Sequence, residues 1–462
     1  GHDERKTTYD PFDRGAFMTP PKTTIVSRRL AGDVSLLAEE IPGYHTASLI
    51  VRVEGGVYTE PDDLLGAAYI LEQALDKGTE THDGRQLADA FDAIGAHHAV
   101  YTGRQSWILA VSALPEHLPR SIELLGEIAT TPTFPDELVH TAISLTEQEL
   151  TALEDSPRGL LRRQMASQTL GPLLGRHMLG TRETLAKITP QAIRDLWKQA
   201  QGQRALSVTV AGAFDLAAVE DALLGWIERL PKEGFPVPPI SDRGFSAARS
   251  HISKPDLEQT QIGISFPGVP YDDAEQATEH VLLSVLSGGS SARLFTEVRE
   301  KLGLVYWVGA WHEQPRGLGL MHIGAATKPE RAEQTYETLL REVARLENDL
   351  TETELERAKI GLIADSATSG AAVQQRVNDL LIDQFHLGHA VDPEEKRAAI
   401  RAVTLDDIRT YLHAHPRDAL SIVTVGPRAL GETLTEVAEE TPAETAAEKT
   451  PETMTDDEEV GR

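Results

Sequence analysis

The feature that most constrains this chain is an internal repeat. Ile188-Thr-Pro-Gln-Ala-Ile-Arg-Asp-Leu-Trp197 is matched by Val403-Thr-Leu-Asp-Asp-Ile-Arg-Thr-Tyr-Leu412, and Ala205-Leu-Ser-Val-Thr-Val-Ala-Gly212 by Ala419-Leu-Ser-Ile-Val-Thr-Val-Gly426. The two offsets are nearly equal, which predicts two halves built on one plan; solenoids repeat over roughly 20–50 residues. Between the halves, Leu230-Pro-Lys-Glu-Gly-Phe-Pro-Val-Pro-Pro-Ile-Ser-Asp242 is proline-rich and reads as an extended linker, residues 230–247. The first half is then 23–229 and the second 248–430, with an N-terminal arm at 1–22. From about Leu430 the composition collapses into Thr, Pro, Ala and Glu, predicting a disordered acidic tail at 431–462. In each half, strand patterns such as Ala47-Ser-Leu-Ile-Val-Arg-Val53 stand in blocks beside helical ones. That arrangement predicts an α+β fold, with two equivalent halves of mostly antiparallel sheet packed with helices.

Charge and cysteine usage remove several function classes. The 44 Lys and Arg against 72 Asp and Glu give a net charge of −28, which argues against nucleic acid as a partner. With no cysteine, disulfides, thiolate zinc sites and cysteine nucleophiles are excluded. No apolar run approaches the ~20 residues of a membrane span, so no membrane partner is expected. The opening residues Gly1-His-Asp-Glu-Arg-Lys6 lack a signal-peptide core, which predicts a cytoplasmic chain unless a leader has already been removed.

Two stretches carry candidate chemistry. In Leu64-Leu-Gly-Ala-Ala-Tyr-Ile-Leu-Glu-Gln-Ala-Leu-Asp-Lys-Gly-Thr79, apolar residues recur at helical spacing and Gly78 stands where a helix would stop. Tyr69, Glu72 and Gln73 fall at i, i+3 and i+4 on one face, the spacing of the inverted zinc motif H-x-x-E-H with both histidines missing. Taken alone, the three residues read as an ordinary polar face. The second stretch, Leu286-Ser-Gly-Gly-Ser-Ser-Ala-Arg-Leu-Phe-Thr-Glu-Val-Arg-Glu-Lys-Leu-Gly-Leu-Val-Tyr306, predicts a loop, a helix to Lys301, a stop at Gly303 and a strand. Its glycine pair lacks the Gly-Lys-Ser/Thr of a phosphate loop. The adjacent His97 and His98 lie in a strand pattern, where successive side chains alternate, so they do not read as a metal site.

Together these stretches resemble the pitrilysin/insulinase metallopeptidases, in the branch of the mitochondrial processing peptidases and small bacterial two-subunit enzymes. Gly66 to Thr79 is similar to that family's zinc helix, and Gly288 to Tyr306 to its second-half signature. The resemblance implies that Tyr69 and Gln73 stand in place of the two zinc histidines. Glu72 then stands for the water-activating glutamate. Glu149, 76 positions after Gln73, stands for the third ligand. A phenol and an amide are poor zinc donors, so no metal or other cofactor is expected on this chain. Arg299 and Tyr306 match the family's arginine–tyrosine pair, which contacts the substrate backbone beside the scissile bond. The resemblance thus implies a zinc-free subunit of a heterodimeric endopeptidase acting on unfolded peptides, required for proteolysis and inactive alone. Zinc would reside in a homologous catalytic partner with an intact motif, and Arg299 and Tyr306 would serve that partner's active site in trans. The alternative is a scaffold or peptide-binding protein on the same fold with no role in proteolysis.

Overall fold

The structure, a computed structural model, describes residues 23–233, 245–370, 372–431 and 435–436. The expected arm, most of the expected linker and most of the expected tail lie outside the described residues. Strands β1 (Thr24–Arg29), β2 (Ser35–Glu40), β3 (Ala47–Glu54), β4 (His97–Thr102), β5 (Ser106–Ala113) and β6 (Leu206–Gly212) form one sheet, in the order β1-β2-β6-β3-β5-β4. Strands β7 (Arg249–Ser253), β8 (Thr260–Gly268), β9 (Val305–Glu313), β10 (Gly319–Thr327), β11 (Ser421–Gly426) and β12 (Thr435–Glu436) form the other, in the order β12-β7-β11-β8-β10-β9. The pairs β2–β6, β7–β11 and β7–β12 are parallel and the rest antiparallel, so the fold is α+β in two equivalent halves. β12 falls within the stretch read as tail, where it extends the second sheet by two residues.

The repeat that opened the sequence has a structural counterpart. Thr189 and Thr404 each accept a hydrogen bond from the backbone N–H three residues on, capping the helices Pro190–Ala200 and Leu405–Ala414. Each helix leads to a central strand, β6 or β11, buried throughout. β5 alternates buried and half-buried positions, as a strand with one core face should. β3 and β6 are instead buried on both faces, because helices cover both sides of the sheet.

The second cover comes from the opposite half. The helix Pro157–Thr169 lays Leu161 and Met165 against Ile252, Val423 and Val425 of the second sheet. Its Gln168 amide donates to the Ala248 carbonyl at 2.7 Å. In return, the helix Val373–Leu387 lays Val377 and Leu380 against Ile41, Ile50 and Ala211 of the first sheet. Fully burying such side chains stabilises by about 1.5–3 kcal/mol each. Ion pairs follow the same exchange: Arg376–Glu39, Arg316–Glu54 and Arg104–Glu313 each close at 2.6 Å across the joint.

β9, an edge strand, is also held from the first half. Arg158 and Arg162 stack over Trp307 and Trp311 at 4.2 and 5.4 Å. The indoles lie so close to Gly324 that a Cβ there would come within 2.7 Å of Trp307. Only glycine fits.

Candidate functional site

The helix Ala67–Leu75 starts on a buried carboxylate. Glu60 accepts the Gly66 and Ala68 amides at 3.1 and 2.7 Å, satisfying two N–H groups that a helix start leaves open. Burial pushes the Glu60 carboxyl up to about 8 against those hydrogen bonds. The inner face of the helix buries Ile70, Leu71, Ala74 and Leu75. It ends at Leu75, one turn before Gly78, with Asp76 as C-cap. Asp76 is held by Lys77 at 2.7 Å and by His98 Nε2 at 3.3 Å, while the His98 ring stacks on Phe91.

The outer face carries Tyr69, Glu72 and Gln73, all half-buried. Across from them, Glu149 stands exposed on the helix Asp136–Glu154. The Tyr69 phenol lies beside Glu149 and Gln73. Burial, then the neighbouring Glu149, push it up to about 12, so it stays protonated at neutral pH. Glu72 turns elsewhere and accepts the backbone N–H of Thr102, on the edge strand β4, at 2.5 Å. Burial raises its pKa, and the nearby charges of Glu149 and Asp76 add to the rise.

The structure thus brings Tyr69, Gln73 and Glu149 together, with Glu72 beside them. Zinc calls for imidazole, thiolate or free carboxylate donors. Here the donors are a protonated phenol, an amide, and two carboxylates, one already engaged by the Thr102 amide. This set does not fit zinc. Among the described residues, no group of three or more His, Asp or Glu could hold a metal ion.

Arg299 and Tyr306 lie in the other half. The helix expected up to Lys301 is present as Leu294–Lys301, but wound as a π-helix, a form concentrated at functional sites. Leu294 and Val298 bury its inner face. At its start Arg293 grips Glu354 with two hydrogen bonds, 2.7 and 3.0 Å, and Asp349 with a third at 2.6 Å. Against the upward push of burial, Arg293 and Thr351 hold the Glu354 carboxyl at about 2. Gly303, at φ +55°, turns the chain from the π-helix toward β9. Arg331 donates to the Gly303 carbonyl at 2.8 Å and Thr327 to that of Leu304 at 2.6 Å, pinning the turn.

On this pinned turn Arg299 is exposed and lies 4.9 Å over the Phe295 ring. Tyr306, at the start of β9, is 52 % exposed. Among the described residues, neither has a carboxylate partner. Arg293 and Thr102 also shape these sites without having been singled out by the sequence. Arg293 belongs to the motif Ser290-Ser-Ala-Arg-Leu-Phe295, whereas the Thr102 amide leaves no trace in side-chain chemistry.

The fold and these two stretches, Tyr69, Glu72 and Gln73 in one half and Arg299 and Tyr306 in the other, have counterparts among peptidases. The profile described as "Insulinase (Peptidase family M16)" matches residues 35–182, and "Peptidase M16 inactive domain" matches 187–362. An uncharacterized zinc protease of Rickettsia felis is 27% identical over 407 residues, covering 87% of this chain and 97% of that protein. One from Streptomyces coelicolor is 26% identical over 420 residues, covering 87% and 90%. The structure of a peptidase M16 inactive domain from Pseudomonas fluorescens superposes with a TM-score of 0.82 at 21% identity, covering 89% of this chain and all of that one. A protease from Helicobacter pylori superposes at 0.79 with 15% identity, covering 88% of this chain and 100% of that one. The chain belongs to the M16 (pitrilysin/insulinase) peptidase family. Among the described residues, no helix is long and apolar enough to cross a membrane.

Proposed function

We propose that this chain is the zinc-free subunit of a heterodimeric M16 endopeptidase, lending Arg299 and Tyr306 to the active site of a homologous zinc-bearing partner. One observation carries the reading. The helix face at the metal position carries Tyr69 and Gln73 beside Glu149, with no histidine, while Arg299 and Tyr306 remain exposed and, among the described residues, without carboxylate partners.

In the assembled enzyme, an unfolded peptide lies as an added strand on the partner's sheet. The Arg299 guanidinium and Tyr306 hydroxyl donate hydrogen bonds to the carbonyl of the bond being cleaved. These strengthen as that oxygen becomes an oxyanion, so they lower the barrier more than they tighten substrate binding. Glu72, with no metal-bound water to activate, takes no part.

The test is reconstitution with a homologous chain carrying an intact H-x-x-E-H. Tyr306→Phe should depress turnover by roughly 10²–10³ while assembly and the partner's zinc content stay unchanged. Turnover within about threefold of wild type for Tyr306→Phe and Arg299→Ala, in fully assembled complex, would leave the scaffold reading in its place; that margin is under 1 kcal/mol.

A further inference from the structure

β9 pairs with β10 in unbroken antiparallel register from Glu313, opposite Leu320, to Trp307, opposite Ala326. There the pairing steps by one residue. Thr327 faces Val305, and Tyr306 is left with no residue opposite it. Tyr306 is therefore the extra residue of a β-bulge, a device that re-aims a side chain and is frequent beside functional sites.

The bulge decides which way the tyrosine points. Side chains alternate along a strand, and directly opposed residues share a face of the sheet. On β10, Met321, Ile323 and Ala325 belong to the core of the second half, and Val308 and Ala310, opposite Ala325 and Ile323, pack against it too. Continued without a break, this alternation would set Tyr306 on the core face, opposite the wholly buried Thr327. The structure puts Val305 there instead, 8 % exposed and part of the core, and Tyr306 turns outward. A one-residue slip of β9 would exchange the two and draw the phenol inside.

Thr327 holds the bulged phase. Its hydroxyl donates to the Leu304 carbonyl at 2.6 Å, just ahead of Val305, and accepts from Thr335 of the helix Ala332–Asp349 at 3.1 Å. The Leu304 N–H is tied as well, to the Val298 carbonyl at 3.0 Å. A slip of one residue would carry the Leu304 carbonyl about 3.3 Å along the strand, out of hydrogen-bond reach of Thr327. The bond thus belongs to the bulged register alone, and removing the hydroxyl takes a donor from a buried carbonyl in that register only.

We propose that Thr327 is a positioning residue for Tyr306: its hydroxyl fixes the bulge that keeps the phenol turned out of the sheet. The inference rests on Tyr306 being a substrate contact and names what aims it.

The test places a ring fluorine on Tyr306 of the full chain and reads ring exposure from the change of its fluorine NMR shift between light and heavy water. Wild type should show the large change of an exposed ring. Thr327→Val should lose at least about half of it, the two registers then being comparably populated. Thr327→Ser keeps the hydroxyl and should match wild type. Thr327→Ala removes the same hydroxyl with less bulk and decides the matter if the valine variant does not fold. In the assembled enzyme the hydroxyl-free variant should lose kcat at least about twofold, in step with the lost exposure, with KM moving less. A wild-type exposure in whichever hydroxyl-free variant folds, or a Thr327→Ser exposure as low as theirs, would overturn the proposal. The catalytic reading fails separately. If exposure at position 306 is lost while turnover of the assembled enzyme stays at the wild-type level, the bulge still aims Tyr306 and only its cross-subunit role falls.

Discussion

The two halves carry comparable polar equipment and use it in opposite ways. In the first, the groups on the helix Ala67–Leu75 face partners in their own chain: Tyr69 lies beside Glu149 and Gln73, Glu72 accepts the Thr102 amide, and Asp76 pairs with Lys77 and His98. In the second, the framework is just as tightly tied, through Arg293, Arg331 and Thr327. The groups it presents, Arg299 and Tyr306, are nevertheless left without carboxylates among the described residues. A polar group satisfied within its own fold has little to gain from a ligand, whereas one left exposed and held in place keeps that gain available. The half that resembles a catalytic centre is therefore chemically closed, and the half without one is open.

The comparison would break most completely if the closed half were reopened. Tyr69→His with Gln73→His replaces the phenol and amide by imidazoles beside Glu149. Elemental analysis should then find about one zinc per chain and none in wild type; structural zinc binds with roughly 10–16 kcal/mol. A double variant that stays metal-free would show that Glu149 is not placed to act as a ligand.

Next in size is the open half. Arg299→Ala in the assembled enzyme removes a donor, a charge and an alkyl stem resting on Phe295. Its loss of turnover should match or exceed the roughly 2.7–4 kcal/mol typical of one oxyanion donor. The quantity to read is kcat, with KM moving less.

The joint between the halves gives the third prediction. Burial raises the Glu313 carboxyl, but His322 and Arg104 outweigh it and hold the group at about 2, below the ordinary 4.5. Because the folded value is the lower one, this stabilisation is fully present above pH 4.5 and is lost as pH falls toward 2. At 1.36 kcal/mol per unit it amounts to roughly 3 kcal/mol. Glu313→Gln should lower the guanidinium midpoint at pH 7 and leave it nearly unchanged near pH 2. A constant difference across that range would place the effect in packing instead of charge.

The smallest effect belongs to Tyr69→Phe, which removes the hydroxyl beside Glu149 between the helices Ala67–Leu75 and Asp136–Glu154. The site is half-exposed, so the cost should be about 1 kcal/mol, read as a small drop in thermal midpoint with turnover of the assembled enzyme unchanged. A loss of turnover would mean that the closed half takes part in catalysis after all.

Much of this plan was legible in the residues. The repeat around Thr189 and Thr404 marks two halves because a capping threonine followed by an amphipathic helix leaves a strong local pattern. Tyr69, Glu72 and Gln73 share a face by helical geometry alone. Less legible was anything that depended on which surface a helix meets. The i, i+4 pair Leu161 and Met165 shows that Pro157–Thr169 has an apolar face, yet periodicity does not say that this face covers the other half's sheet. The π-winding of Leu294–Lys301 escaped for a related reason: its apolar spacing from Leu294 to Val298 fits an α-helix equally well. Glu72 was read by its place in a motif, while its actual partner is a backbone amide that no side-chain pattern discloses.

The exchanged helices bear on how such a chain can change over generations. Side chains on the face of one half can change one at a time, because each touches only a few neighbours. The half itself cannot be shed in the same way. Deleting it would strip Leu161 and Met165 from Ile252, Val423 and Val425 and leave the second sheet with a bare apolar face, a surface prone to aggregation. Whatever chemistry either half gains or loses, the chain is thus obliged to keep both bodies, because each half serves as the other's wall.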